Sequence, residues 1–140
     1  MIKNIFSIAG TALNAQSIRM NTTASNLANA GTVSPTAEDA FRAKRPVFQA
    51  LVDDADRNRG FDALGGVKVK EVIDDTKPIR EVYDPGNPEA NADGYVYLSN
   101  VNEVTEMVEM MAASRSFQNN VEVVTTARQL MMRTLDITKA

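Results

Sequence analysis

Acidic side chains at alternate positions are the first residues of this chain whose types and spacing suggest chemistry. Asp54, Asp56 and Asn58 lie in the polar stretch "DDADRNRG" and offer oxygen donors in the order that opens a calcium-binding EF-hand loop. The rest of that loop does not follow, since Arg59 stands where glycine is needed and a glycine stands where a bidentate glutamate is needed. We therefore interpret residues 53–64 as an exposed loop without a metal site.

The composition argues against catalysis. The chain contains no histidine and no cysteine, which removes the commonest general base, the commonest metal ligands and any disulfide. Gly65 and Gly66 are not followed by the Lys-Ser/Thr pair of a phosphate loop, and the adjacent Asp74 and Asp75 point apart on a strand. We expect no enzyme activity and no cofactor.

Charge and hydropathy exclude two classes of partner. The net charge of −3 and the pI near 5.0 argue against nucleic-acid binding, and no run of 18 apolar residues is present that would insert into a membrane. The first residues, "MIKNIFSIAGTALNAQ", are similar to a signal peptide but carry one lysine, and the apolar spacing continues beyond Ala15. We therefore expect no cleavage.

Apolar residues at three- and four-residue steps predict a helix over residues 1–31. Asn29, Ala30 and Gly31 supply its stop, with Pro35 close behind. The apolar residues form two adjacent stripes, so the apolar face is wider than one partner helix would cover. The first stripe contains Ile2, Phe6, Ala9, Leu13, Gln16, Met20, Thr23 and Leu27, and the second contains Ile5, Ile8, Ala12 and Ala15.

The same spacing predicts a second helix within residues 99–140. We expect Asn100 to cap it, with Glu103 three residues later. Acids crowd its start and bases lie toward its end, which suits the helix dipole. Its apolar stripe contains Met110, Ala113, Phe117, Val121, Val124, Ala127, Met131 and Leu135.

Between the helices, residues 32–98 contain β-prone segments separated by turn residues. The fold class predicted is α+β: long N- and C-terminal helices packed as a coiled-coil-like hairpin that forms one core domain, with a small middle region of short antiparallel strands. Unusually wide apolar helix faces indicate a protein interface, in either a polymer subunit or a partner-dependent adaptor. The predicted strands cover 45–52, 67–73, 79–83 and 95–98.

Three separated motifs resemble one family. "TASNLANAGT" (23–32) is similar to the signature near the N-terminus of bacterial flagellar axial proteins, the rod and hook family. "FRAKRPVFQ" (41–49) and the segment 82–124 are similar to its proximal rod members, whereas distal rod and hook relatives have much longer middles. The motif residues are Ser25, Asn26, Leu27, Ala28, Asn29, Pro85, Gly86, Asn87, Pro88, Gly94 and Tyr95.

The resemblance implies a structural subunit of the proximal rod of the flagellar basal body. Such a subunit is exported by the flagellar type III apparatus without signal cleavage and polymerises in the periplasm with copies of itself and other rod proteins. The rod transmits motor torque, and its lumen passes exported subunits. The alternative is a soluble helical adaptor or export chaperone with no polymer role.

The expected sites are helix-packing and inter-subunit contacts. We expect Asn29 to cap α-helical carbonyls, and Asn26 to bond across subunits and fix their register. Ser99 lies where family members commonly carry proline, which predicts a looser entry to the second helix. The contact residues expected are Ile2, Phe6, Leu13, Met20, Asn26, Leu27, Met110, Phe117, Val121, Val124, Met131 and Leu135.

Overall fold

Two long helices stand at the ends of the chain, and short strands lie between them in sequence. The computed structural model describes residues 2–51 and 65–139, with side chains over 5–51 and 65–137. Helix α1 (Ile2–Ala28) and helix α2 (Glu103–Lys139) pack together. The predicted α+β class is confirmed. The strands are β1 (Val33–Ser34), β2 (Lys44–Ala50), β3 (Val67–Asp74), β4 (Arg80–Tyr83) and β5 (Tyr95–Leu98).

The described strands form two small antiparallel sheets. In the first, β5 lies between β1 and β4, and Leu98 stands opposite both Val33 and Arg80. In the second, β2 pairs with β3. The backbone bonds Leu51 N to Gly66 O (2.8 Å) and Asp75 N to Ala43 O (2.7 Å) fix its antiparallel direction. All four predicted strands are present. Strand β1 was not predicted because its two residues are too few to show the alternating pattern of a strand.

The chain divides into two compact units. Unit 1 contains the described residues 2–18, 47–51, 65–71 and 112–139, and unit 2 contains residues 19–46 and 72–111. In unit 2, Arg19 forms an ion pair with Glu109, and Asn26 bonds to Glu106, so α1 and α2 run antiparallel there. All three tyrosines of the chain lie in unit 2 and tryptophan is absent, so tyrosine fluorescence reports on the folding of unit 2 alone.

Helix α1 ends by tightening its last turn. The Asn29 side-chain amide donates to Ser25 O (2.8 Å), which confirms the predicted capping role of this residue. Ala30 N donates to Leu27 O (3.2 Å), a three-residue step that satisfies another terminal carbonyl. Gly94 is the only described residue with a positive φ, so helix α1 stops at Ala28 without a left-handed residue, and Gly31 does not act as a left-handed cap.

The N-cap of helix α2 lies two residues after the predicted one. Asn102 is the N-cap, since its Oδ1 accepts the backbone N–H of Thr105 (3.0 Å). The prediction of Asn100 as the cap is wrong because its side chain bonds to other segments of unit 2. The spacing of Asn and Glu residues predicted approximately where the helix begins, but it did not distinguish Asn100 from Asn102 as the cap.

The loop between β4 and β5 closes through a glycine that no other residue replaces easily. Gly94 has φ +82°, in the left-handed region, and Asp84 N donates to its carbonyl (2.9 Å). A Cβ at this position would lie 2.9 Å from Cε2 of Tyr83. Tyr83 also contacts Tyr95 edge-on, with ring centroids 5.2 Å apart. The glycine therefore permits both the turn and the tyrosine contact.

We predict that Gly94→Ala lowers the free energy of unfolding of unit 2 by about 2 kcal/mol, from the cost of a left-handed alanine and the contact with Tyr83. Gly86→Ala in the same loop is the matched control. Its Cβ would meet only Asp84 Oδ1 at 3.8 Å, so we expect a change within about 0.5 kcal/mol. Urea unfolding followed by tyrosine fluorescence measures both values. Equal values for the two variants would contradict the assigned role of Gly94.

Candidate functional site

In unit 1, alanines form the buried contact between the terminal helices. Among the described residues of this unit, the buried apolar side chains are Ala9 and Ala15 of α1 and Ala113 and Ala127 of α2. Small side chains allow two helices to approach closely, but each removes little apolar surface from water. The helix pair of unit 1 therefore gains little stability from its own buried contact.

The predicted contact residues divide between half-buried and exposed positions. Val121 is 43% exposed because the buried face passes through the neighbouring Asn120, whose amide bonds back to Ser116 O (2.9 Å). Leu135 is 53% exposed in the last part of α2, where residues 132–137 are all exposed. A polar residue on the inner face displaced the predicted stripe by one position. The side chain of Ile2 lies outside the described residues. The half-buried members are Phe6, Leu13, Met20 and Leu27 of α1 and Met110, Phe117, Val124 and Met131 of α2.

Large apolar side chains remain exposed along α2. They occur in both units and surround much of the helix. Apolar surface of this extent on a helix marks an interaction surface rather than a free face. Unit 2 contributes Val104, Met107, Val108 and Met111, and unit 1 contributes Val121, Val123, Leu130, Met132, Leu135 and Ile137.

A buried polar cluster lies in unit 2, and Asn26 is its centre. The side chain is fully buried. Its Oδ1 accepts the Lys44 backbone N–H (2.8 Å), and its Nδ2 donates to the Lys44 carbonyl (2.9 Å) and to Glu106 Oε2 (2.9 Å). The amide thus bonds the first residue of β2 as a neighbouring strand would. One side chain joins the end of α1 to β2 and α2.

Glu106 is the buried charge of this cluster. Its side chain is 0% exposed, and Arg45 Nη1 lies 2.8 Å from Oε1 as an ion pair, without the alignment of a directed hydrogen bond. Arg45 also places Nε 3.5 Å from Asp75 Oδ2. A buried carboxylate needs such partners, because removing one leaves an uncompensated charge. We call Asn26, Lys44, Arg45 and Glu106 the polar junction.

Asn100 and Ser99 support the polar junction from the segment before α2. Asn100 Oδ1 accepts the Ala43 N–H (2.7 Å), and its Nδ2 donates to Lys77 O (3.0 Å). Ser99 is buried, and its hydroxyl donates to Ala30 O (3.1 Å) while accepting the Val101 N–H (3.2 Å). The prediction that serine loosens this entry is wrong, since its hydroxyl ties the segment to the end of α1.

Both polar atoms of Asn26 are used inside one chain. The bond across subunits that the sequence predicts is therefore not needed to explain this residue, and the junction instead fixes the register of segments within the chain. Glu106 was missed in the sequence, where it counted only as one of three acids at the start of a helix, although the helical spacing carried a signal. Its burial follows from the step to Met110 and Ala113, which puts it on the inner face.

The remaining motif residues have local roles. Ser25 offers its carbonyl to Asn29, and Ala28 is the last residue of α1. In the β4–β5 loop, Asn87 Oδ1 accepts the Glu89 N–H (3.0 Å). Pro85, Gly86 and Pro88 are exposed in that loop.

Within residues 2–51 and 65–139, no group of three or more acidic, histidine or cysteine side chains could hold a metal ion. Asp54, Asp56 and Asn58, considered above for calcium, lie outside the described residues. Neither described helix is long and apolar enough to cross a membrane. The features that stand out are the exposed apolar side chains of α2 and the polar junction.

The terminal helices define the class. Residues 6–36 match the family model "Flagella basal body rod protein", and residues 92–137 match "Flagellar basal body rod FlgEFG protein C-terminal". The matched regions contain most of α1, β5 and most of α2.

Curated relatives show to which family of rod proteins the chain belongs. The chain is 52% identical over 134 residues to the flagellar basal-body rod protein FlgC of Salmonella typhimurium and 50% identical to FlgC of Escherichia coli O157:H7, covering 96% of each chain. It is 46% identical over 138 residues, 97% of each chain, to FlgC of Buchnera aphidicola from Acyrthosiphon pisum. The chain belongs to the FlgC family of flagellar basal-body rod proteins.

Family membership confirms the coarse predictions. The family is structural and non-enzymatic, so the prediction of no enzyme activity is confirmed. The chain is a structural component of the flagellar rod, located in the basal body, and assembles with other rod proteins.

We predict that Asn26→Ala lowers the free energy of unfolding of unit 2 by about 3 kcal/mol, because the Lys44 backbone and the Glu106 carboxylate lose a buried partner. Asn29→Ala is the matched control, since it removes only the bond to Ser25 O at a more exposed helix end. We expect that change to cost about 1 kcal/mol or less. Urea unfolding followed by tyrosine fluorescence separates them, and a smaller loss for Asn26→Ala than for Asn29→Ala would contradict the junction.

Proposed function

We propose that this chain is a subunit of the proximal rod that polymerises through its terminal helices, transmits motor torque and helps enclose the channel for exported subunits. The observation that carries the proposal is the exposed apolar surface of α2 in unit 1. Val121 and Met132 lie on one side of the helix, and Val123 and Leu130 lie on the other. Residues two apart are separated by roughly 200° around a helix axis, so these are different surfaces.

Two different contact surfaces on one helix favour an open assembly. A closed two-fold dimer uses one self-complementary surface, whereas a contact between two unlike surfaces repeats from subunit to subunit. Unless the rotation closes into a ring, such a contact generates a helical polymer. The half-buried contact with α1 accounts for a third side of α2, which leaves the two exposed sides for neighbours.

The weakly stabilised helix pair supports export before assembly. An alanine contact contributes little transfer free energy, so the helices of unit 1 gain most of their burial from neighbouring subunits. The helix pair of unit 1 therefore unfolds at low cost for passage through the flagellar type III apparatus. In this proposal export needs no cleaved signal peptide, and the rod forms in the periplasm.

Torque transmission requires that the two helices of a subunit do not slide past each other. The polar junction supports this role, because its buried hydrogen bonds hold one register between α1, β2 and α2. A shift by one residue would separate Asn26 from Lys44 and Glu106 at once. Apolar contacts alone would resist such a shift less.

The test is electron microscopy of a strain with an in-frame deletion of the gene, scored for hooks and filaments. We expect the deletion to remove both structures and the wild-type chain, supplied from a plasmid, to restore them. Hooks and filaments that persist in the deletion strain would contradict the proposal and favour the soluble adaptor.

We also predict that Leu130→Asp, supplied in the same strain, reduces the number of hooks by about tenfold or more, because it places a charge in a subunit contact. Gln118→Asp is the matched control on an exposed polar position of the same helix, and we expect it to restore hooks as the wild type does. Equal restoration by both variants would show that the apolar surface of α2 is not used in assembly.

A further inference from the structure

Unit 1 contains an apolar groove of about 610 Å³ beside the distal half of α2. Ile5 of α1 forms one wall, and Val123, Leu130 and Met131 of α2 form the other. Ile5 is 38% exposed, Val123 49% and Leu130 58%, so the apolar lining faces solvent in the single chain. We call this surface the groove.

One charge lies in the groove. Glu122 is in its lining and is the only acidic residue between Met110 and Leu135 of the sequence. The positions three and four residues away on either side carry glutamine, asparagine or threonine, so no base within one turn of Glu122 on α2 can neutralise it. No ion pair of Glu122 is found among the described residues. A partner that enters the groove is therefore expected to bring a positive charge.

The opposite side of α2 has the complementary character. Val121 is 43% exposed and Met132 57%, and exposed Arg128 lies between them along the helix. Arg128, Met132 and Arg133 line a shallow surface on this side that holds no acidic residue. We call Val121, Arg128 and Met132 the ridge. It combines apolar side chains with the positive charge that the groove lacks.

We propose that the groove receives the ridge of a second copy of this chain, with Glu122 of one subunit facing Arg128 of the next. The proposal rests on the polymerisation proposed above and names the contact that repeats. Met132 and Val121 of the incoming helix cover Val123 and Leu130, and the ion pair selects the partner. Each copy gives its ridge to one neighbour and its groove to another.

Charge explains why unlike surfaces meet. Two grooves placed together would set Glu122 against Glu122, and two ridges would set Arg128 against Arg128. Only the contact of groove with ridge removes both repulsions while covering apolar surface on each side. The same helix therefore specifies a repeating contact and opposes a closed dimer.

Charge exchange tests the contact in the deletion strain, with hooks counted by electron microscopy. We expect E122R and R128E each to reduce hook number about tenfold or more, and the double variant E122R/R128E to recover most of it, because the pair is restored with its signs exchanged. R115E is the control, since this exposed arginine lines neither surface, and it should leave hook number unchanged. No recovery in the double variant, or an equal loss in R115E, would overturn the contact.

The absence of native cysteine permits a second measurement on assembled basal bodies. In the variant N119C/T125C, which keeps Glu122 and Arg128 and places one cysteine at the groove and one beside Arg128 and Met132, a short thiol cross-linker should give a ladder of oligomers of this chain, whereas N119C alone should give no ladder. A cross-link from N119C/T125C to another rod protein in place of the ladder would overturn the assignment of a second copy. These failures differ from failure of the proposed function, in which the wild-type chain itself would not be needed for hooks.

Discussion

A single buried contact holds the register of this fold: the hydrogen bond from the Asn26 amide to the Glu106 carboxylate. Neither side chain reaches solvent, and the two residues are 80 positions apart in sequence. Both groups would cost free energy if buried without a partner, so the end of α1 and the start of α2 are stable only where they meet. Arg45 and the Lys44 backbone extend that requirement to β2.

The two units are stabilised by different kinds of contact. In unit 2, directed polar contacts specify one arrangement of α1, β2 and α2, and the Gly94 turn fixes the β4–β5 loop. In unit 1, the alanine contact allows the helices to approach but stabilises them weakly, and large apolar side chains of α2 face outward. The rod subunit proposed above would use both properties, because it would present its contact surfaces in a fixed register and gain its final stability from neighbours.

Periodicity and turn chemistry were sufficient to predict the α+β class, both helices and four of the strands. The hydrogen-bond partners of the buried polar groups could not be predicted from the sequence. Glu106 looks like a helix-dipole acid, and Asn102 could not be preferred to Asn100 as a cap, because each role depends on where distant segments lie. Asn120 shows the same limit, since a polar residue on the inner face moved the predicted stripe to Val121. The asparagines of the motif were recognised, but the contacts of Asn26 required the fold.

A double-mutant cycle between Asn26 and Glu106 tests the register contact most directly. The free energies of unfolding of unit 2 would be measured by urea with tyrosine fluorescence for the wild type, N26A, E106A and N26A/E106A. A hydrogen bond to a buried charge predicts a coupling energy of about 2 kcal/mol between the two positions. Additive losses, within about 0.5 kcal/mol, would show that the two residues act independently and would contradict the central role of this contact.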